Sequence, residues 1–218
     1  RAMQHSDFDR WNSIVGTQMS NNGTWIAYHL KPGKGDQKLY VHQASNKLKM
    51  VFDRAEKSRF TADSRQLIFR QKLALDSLNQ LRRQKLKKAK WPKDTLGIYN
   101  FSNNLIIKEP GLQSFAIAEE GNTFAFIQEV ETEKKTGLFS ALFNSEKNNS
   151  EKKEKILKVY CSYPFKSFDQ PNVKSFTLSP NGKRIAYIES VKDKNDKISE
   201  RLIVKRTKDG EVINTFSL

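Results

Sequence analysis

The sequence predicts an all-β protein, a β-propeller built from four-stranded antiparallel blades. Three observations support this fold class. A unit of two alternating apolar strands around a polar turn occurs four times in the 218 residues, further strand candidates follow each copy, and no helical pattern alternates with them. A single blade cannot bury both of its faces, so the stacking of neighbouring blades supplies the core. Four copies of one unit therefore predict a propeller.

The four copies align at one turn position, which lies between the first and second strands of each unit. In two copies this position is the glycine of an Asn-Gly pair, a strong hairpin signal because both residues tolerate positive φ. The aligned residues are Gly23, Ser64, Gly121 and Gly182, within units at 18–28, 59–69, 115–126 and 176–187. Third strands are predicted at Leu39–Gln43, Gly97–Phe101, Lys155–Cys161 and Arg201–Arg206. Fourth strands are predicted at Leu48–Asp53, Leu105–Glu109 and Val212–Leu218, and the third unit has only Tyr163–Phe168 for this role.

These strands group into blades at about 12–54, 57–110, 112–168 and 173–218, which together form one propeller portion over 1–218. The aligned turns are 41, 57 and 61 residues apart, whereas a compact propeller repeat takes about 40–45 residues. Insertions at 71–94 and 131–154 account for the excess. About four blades are few for a ring, which typically holds roughly 4–8, and the sequence stops within a strand pattern. We therefore expect an incomplete propeller.

The first insertion predicts a helix near 72–91, and the second predicts a surface excursion. Leucines at positions 73, 75, 78, 81 and 86 form a ragged apolar face, and Trp91-Pro92 ends the segment. The second insertion is rich in Lys, Glu, Asn and Ser around a short apolar patch, a composition that disfavours a packed core.

The charge of the chain is concentrated in the first insertion. The chain has 39 Lys and Arg against 24 Asp and Glu, a formal net charge of +15, and seven of the cations lie between residues 82 and 93. Such a helix is a candidate binding surface for an acidic partner. The candidate contacts are Arg82, Arg83, Lys85, Lys87, Lys88 and Lys90. The alternative is a solvated helix that packs its leucines on the propeller and directs its lysines outward.

Composition and motifs exclude several function classes. Hydrophobic residues make up 37% of the chain, enough for a core, but no apolar run approaches the roughly 18 residues of a membrane span. The basic segment lacks the interleaved aromatic residues of a nucleic-acid stacking platform, which argues against a nucleic-acid partner. Cys161 is the only cysteine, so neither an internal disulfide nor a cysteine-based zinc site is possible.

Catalytic and cofactor motifs are absent from the sequence. No two glycines are four residues apart, which excludes the Gly-x-Ser-x-Gly nucleophile elbow of α/β-hydrolases. Gly33 and Gly35 fit a hairpin loop better than a dinucleotide loop. The histidines are His5, His29 and His42; His29 and His42 could face each other at comparable heights of adjacent strands, but we predict structural or surface roles for the histidines. Since no third ligand can be named, we predict no metal, no cofactor and no catalytic residue in this chain.

The sequence nevertheless resembles a peptidase family. Asp9-Arg-Trp11, the segment 19–28 and Gly35-Asp36-Gln-Lys-Leu39 resemble the opening blade of bacterial prolyl oligopeptidase-family serine peptidases, with the long Bacteroidetes-type members most similar. The segment 90–99 resembles the basic stretch that precedes a blade strand in those proteins. The unit at 176–187 resembles the TolB/WD-like repeat, which many unrelated proteins share.

The resemblance implies a function for the longer protein. In that family an N-terminal propeller covers a C-terminal α/β-hydrolase domain that carries Ser, Asp and His, and it restricts entry to short or unfolded peptides. No catalytic position transfers to these 218 residues. The resemblance also implies export to the periplasm or the medium after removal of a signal peptide. Two alternatives stay open: a non-enzymatic propeller that serves as a protein-interaction module, and binding of an acidic partner through the basic helix. Nothing in the sequence sets the oligomeric state.

Overall fold

The computed structural model describes residue 4 and residues 11–45, 49–132, 152–161, 166–192 and 198–217. These residues form antiparallel sheets with one short helical segment, which confirms the all-β propeller class. The first sheet holds β1 (Asn12–Met19), β2 (Trp25–Pro32), β3 (Lys38–Gln43) and β4 (Lys49–Asp53), and the last holds β12 (Val173–Leu178), β13 (Arg184–Lys192), β14 (Ile198–Arg206) and β15 (Val212–Ser217). Between them, a seven-stranded sheet holds β5 (Ala55–Phe60), β6 (Gln66–Gln71), β7 (Asp94–Asn100), β8 (Leu105–Ile117), β9 (Thr123–Thr132), β10 (Lys152–Cys161) and β11 (Lys166–Pro171).

The seven-stranded sheet consists of two blades that share the long strand β8. Residues 105–110 of β8 pair with β7, and residues 112–117 pair with β9. Gly111 stands between the two halves with a φ of 84°, a left-handed conformation that glycine adopts without steric cost. The four blades are therefore blade one (β1–β4), blade two (β5–β7 and 105–110), blade three (112–117 and β9–β11) and blade four (β12–β15).

Three apolar clusters fill the spaces between successive blades. Blades one and two enclose Ala27, Leu39, Val41, Ala55, Phe60, Leu67, Phe69 and Tyr99. Blades two and three enclose Ile68, Leu96, Ile98, Leu112, Ile117, Phe124, Phe126 and Tyr160, and blades three and four enclose Ala125, Ile127, Leu157, Val159, Val173, Ile185, Tyr187 and Ile203. Successive side chains of a strand point to opposite faces, so in β6 Phe69 packs on blade one while Ile68 packs on blade three. A strand of a blade that is covered on both faces therefore needs consecutive apolar residues rather than an alternation of apolar and polar ones.

The four aligned turn positions adopt the same backbone conformation. Gly23, Ser64, Gly121 and Gly182 have φ values between 62° and 73°, as the hairpin pattern predicts. Each of the first three turns also contacts the turn of the next blade. The N–H of Asn22 donates to Ser64 Oγ at 3.1 Å, that of Asp63 to Asn122 Oδ1 at 3.2 Å, and that of Glu120 to the Pro180 carbonyl at 2.9 Å. These hydrogen bonds hold successive blades at the same height.

The outer faces of the first and last blades expose large apolar side chains. Ile14 and Met19 of blade one are 64% and 59% exposed, and Ile198 and Phe216 of blade four are 59% and 46% exposed. By contrast, Leu67, Ile68 and Phe69 in β6 of blade two, which is covered on both faces, are fully buried. Among the described residues the sheets form an open array rather than a ring, as expected for an incomplete propeller.

The insertions and the fourth strand of blade three differ in detail from the sequence predictions. The helix predicted near 72–91 is shorter: α1 spans Leu75–Arg83, and a 3-10 turn follows at Lys88–Lys90. Lys85, with a φ of 54°, lies in the break between them. The ends of the second insertion extend β9 and β10, and residues 133–151 lie outside the described residues. The fourth strand of blade three is β11, a few residues after its predicted position.

Candidate functional site

The basic insertion connects β6 to β7 and is tied to blade one at its start. The N–H of Leu75, the first residue of α1, donates to Asp36 Oδ1 at 3.0 Å, and Ala74 supplies no side-chain cap. Asp36 belongs to the loop between β2 and β3, so a carboxylate from another blade caps the helix. A negative charge at this end also interacts favourably with the helix dipole. This contact fixes where the helix begins.

The remainder of the insertion is held by its leucines and by Trp91. Leu75, Leu78 and Leu81 are partly buried, as the ragged apolar face predicts. After the helix, Trp91 Nε1 donates to the Leu86 carbonyl at 2.9 Å, which folds the chain back toward β7. The insertion thus forms a compact arm over one end of the strands of blade two.

All six candidate contact residues of the insertion are exposed to solvent. Within the part of the chain that the structure describes, no carboxylate pairs with any of them, and Arg82 donates a hydrogen bond to Asn79 Oδ1 at 3.2 Å. The structure divides the six residues into two groups. Arg82, Lys88 and Lys90 line cavities between the arm and the blades, whereas Arg83, Lys85 and Lys87 line neither of these cavities.

The larger cavity of about 590 Å³ lies between the arm and the ends of blades two and three. We call it the basic cavity. Its charged lining residues are Arg70, Lys72, Arg82, Lys88, Lys93 and Asp94, and its other lining residues are Leu73, Leu78, Trp91, Pro92, Leu112 and Gln113. Five cations therefore surround one carboxylate. Three of these cations lie at strand ends outside the six residues that the sequence indicated.

Asp94 neutralises the basic cavity only in part. Its Oδ2 lies 3.4 Å from Arg70 Nη1 and 3.4 Å from Lys72 Nζ. The Arg70 side chain is 17% exposed; its Nη2 donates to the Gln113 carbonyl at 2.8 Å, and its Nε is buried without a hydrogen-bond partner. One carboxylate thus forms ion pairs with two cations, and the lining keeps an excess of positive charge.

A second cavity, of about 440 Å³, shares Trp91, Pro92 and Lys93 with the basic cavity and contains Glu129. The Glu129 side chain is 9% exposed. Burial opposes ionisation of Glu129, but a 2.7 Å hydrogen bond from Gln113 Nε2 and the ammonium groups of Lys93 and Lys153, at 3.5 and 3.4 Å, outweigh it and lower the pKa of this carboxyl. Glu129 is therefore ionised and partly satisfies Lys93.

His29 and His42 do not face each other. In the register of β2 with β3, His29 lies opposite Leu39 and His42 lies opposite Ile26, so the two rings project from opposite faces of blade one. His42 Nε2 lies 3.3 Å from Tyr28 Oη, and His29 points toward blade two. No group of three metal-ligating side chains occurs among the described residues, and His5 lies outside them.

His29 instead connects blade one to a bulge in β5. Its Nδ1 lies 3.0 Å from the Ala55 carbonyl and its Nε2 lies 2.9 Å from Ser58 Oγ. Because a carbonyl oxygen only accepts, Nδ1–H is the donor and Nε2 accepts from the serine hydroxyl. Gln18 Nε2 also donates to Ser58 Oγ at 2.5 Å. Sequence reasoning missed Ser58 and Gln18. Gly16 stands at the β1 bulge beside Gln18 and is the signal that could have indicated that bulge.

The single cysteine belongs to a contact between blades three and four. Cys161 Sγ donates to the Thr207 carbonyl at 3.2 Å and accepts from Thr123 Oγ1 at 3.6 Å. It is a free thiol that is partly exposed. Elsewhere, no helix of the described chain has the length and apolarity needed to cross a bilayer.

Solved structures share this arrangement of blades. An acylaminoacyl peptidase from Pyrococcus horikoshii superposes with a TM-score of 0.50 at 9% identity, over 97% of this chain and 33% of that chain. The β-propeller domain of the trilobed protease from Pyrococcus furiosus superposes with a TM-score of 0.51 at 8% identity, over 96% and 58% of the two chains. The fold is a β-propeller.

A third similar structure is a prolyl endopeptidase, with a TM-score of 0.50 at 12% identity, over 98% of this chain and 29% of that chain. The resemblance to the propeller portion of prolyl oligopeptidase-family peptidases is thus confirmed at the level of the fold. The chain spans about a third of the acylaminoacyl peptidase and less than a third of the prolyl endopeptidase. No protein-family model matches the chain, and no curated protein matches its sequence.

Proposed function

We propose that this chain is the non-catalytic N-terminal propeller region of a prolyl oligopeptidase-like serine peptidase, and that it controls the access of peptides to an α/β-hydrolase domain encoded beyond these 218 residues. The observation that carries the proposal is the superposition of nearly the whole chain on peptidases with propeller domains. The resemblance of the first blade to the same family supports it independently.

The chain itself supplies the scaffold expected for such a role. Three buried apolar clusters join the four blades, and the turns between first and second strands are hydrogen-bonded from blade to blade. A rigid array of this kind holds its connecting loops in place, and loops on a rigid scaffold are where binding residues concentrate. Access would then be controlled by the loops and by the arm at the other end of the strands.

The decisive experiment is labelling of the full-length gene product with a fluorophosphonate probe, which reacts with activated serines. We expect the full-length protein to be labelled and the 218-residue chain, which has no Gly-x-Ser-x-Gly motif, to remain unlabelled. An unlabelled full-length product, or one that lacks such a motif, would refute the peptidase assignment and support a propeller that serves as an interaction module.

Gating is tested separately with substrates of different size. We expect the full-length enzyme to cleave short peptides and to spare folded proteins, and we expect proteolytic removal of the propeller to relax this selection. Equal cleavage of both substrate classes by the intact enzyme would contradict gating while leaving the peptidase assignment in place. The proposal also includes a periplasmic or secreted location, which cell fractionation of the source organism tests.

A further inference from the structure

We propose that the basic cavity binds the carboxylate side chains of an acidic peptide segment. This inference concerns binding by the present chain alone and does not depend on the proposed peptidase role. It differs from a general attraction of acidic partners to the basic helix, because it assigns the binding to Arg82 and Lys88 together with Arg70, Lys72 and Lys93 at the strand ends.

The first argument is the charge of the lining. Five cations surround one carboxylate, and Asp94 is already shared between Arg70 and Lys72 at 3.4 Å each. Lys93 faces Glu129 at 3.5 Å, while Arg82 and Lys88 pair with no carboxylate among the described residues. An arrangement of this kind attracts negative charge, and concave walls strengthen the field beyond that of an exposed surface.

The second argument is the geometry of the donors. Arg70 is held in place by its ion pair with Asp94 and by its hydrogen bond to the Gln113 carbonyl, and its buried Nε has no partner. Its two terminal nitrogens are already bonded to Asp94 and Gln113, so Arg70 contributes fixed positive charge to the cavity wall. Arg82 and Lys88 belong to the arm and Arg70 belongs to β6, so an entering carboxylate would meet cations from two elements of the structure.

The third argument distinguishes a peptide from a small inorganic anion. Five of the twelve lining residues are apolar or aromatic: Leu73, Leu78, Trp91, Pro92 and Leu112 contribute walls beside the cations. Free phosphate offers nothing for these walls to contact, whereas a peptide with alternating acidic and aliphatic residues satisfies both kinds of surface. The volume of about 590 Å³ lies within the roughly 300–1,000 Å³ range of small-ligand sites, which is enough for a few side chains.

The test is fluorescence anisotropy of a labelled peptide that alternates Glu and Leu, compared with the same peptide carrying Gln in place of Glu. The lining variant combines Arg82→Glu and Lys88→Glu. The matched control combines Arg83→Glu and Lys87→Glu, which makes the same charge change on exposed residues of the same arm outside the lining. Circular dichroism establishes that both variants keep the fold, and a milder pair, Arg82→Gln with Lys88→Gln, provides a second lining variant.

We expect the Glu peptide to bind, the lining reversal to weaken it by at least about tenfold, and the control to weaken it by less than about threefold, because exposed charges outside the cavity are screened. The Gln substitutions should give an intermediate loss. Equal losses in the lining and control variants would overturn the proposal in favour of diffuse charge attraction. Equal binding of the Gln peptide, or displacement of the Glu peptide by phosphate at comparable concentration, would overturn the assignment to an acidic peptide.

Discussion

Gly111→Ala is expected to destabilise the protein strongly, because this glycine is both left-handed and closely approached. A Cβ built at position 111 would lie 2.3 Å from the backbone oxygen of Glu129, so β8 and β9 would need to separate by about 1 Å to reach ordinary contact. The obstacle is backbone, which cannot rotate away as the end of a side chain can.

The size of the effect follows from three contributions. A non-glycine residue in the left-handed region costs about 1–2 kcal/mol, and loosening the β8–β9 ladder endangers one or two hydrogen bonds worth about 1 kcal/mol each. The reduced freedom of the unfolded chain returns about 0.4–1 kcal/mol. We therefore expect a loss of about 1–3.5 kcal/mol in the free energy of unfolding, measured by urea denaturation.

Gly23→Ala is the matched control. Gly23 has a similar φ of 70°, but an added Cβ would meet no atom within 4 Å. Only the backbone contribution applies there, so the expected loss is about 1 kcal/mol. If the two variants lost equal stability, the close approach of β9 to Gly111 would not be the cause, and the reasoning would be refuted.

The remaining predictions concern stability as well. Ile185→Ala truncates a fully buried side chain between blades three and four and should lower the free energy of unfolding by about 2–5 kcal/mol. Ile14→Ala, on the exposed face of blade one, should change it by no more than about 0.5 kcal/mol. Urea titrations of both variants measure the difference. Burial lowers the pKa of His29. The hydrogen bond to the Ala55 carbonyl and the negative charge of Glu56 raise this pKa but do not cancel the effect of burial. The unfolded state therefore binds a proton first as the pH falls below the ordinary histidine value of about 6.5, and stability is lost in that window. His29→Gln should flatten this acid dependence, and an unchanged slope in urea titrations between about pH 7.5 and about pH 5 would contradict the assignment. Asp36→Ala removes the carboxylate that caps α1 and should lower local helix stability by about 0.5–2 kcal/mol, seen as faster amide hydrogen exchange in residues 75–83 without a matching change in β13.

Much of the fold was predictable because propeller blades are local in sequence. Each hairpin joins strands that are neighbours in the chain, and the turn that connects them needs a residue that tolerates positive φ, as Gly23 and Gly182 do. The continuity of strand β8 was harder to predict from the sequence. Two strands that were predicted separately join at Gly111 into one strand without a break. The predicted helix is longer than α1 because the leucine pattern continues past Lys85, where the backbone leaves the helical conformation.

The candidate site was predictable only in part. The cations of the arm are contiguous in sequence and visible as a charge cluster, but Arg70, Lys72 and Lys93 are spread over strand ends and join that cluster only through folding. The relative placement of His29 and His42 was likewise open from the sequence. Both residues lie on adjacent strands, but the register between those strands decides which face each ring occupies, and a shift of one residue reverses it.

The sequence by itself determined the all-β class, the four repeated units and the position of the basic insertion, because period-two patterns, turn residues and charge clusters are local properties of the chain. Only the tertiary structure decided that Asp36 of one blade caps the helix of the next and that His29 binds Ser58 across a blade boundary. It also decided that cations from two strand ends and an arm enclose one cavity. These contacts join residues that are distant in sequence, and their geometry depends on strand register and blade packing, which no local pattern encodes.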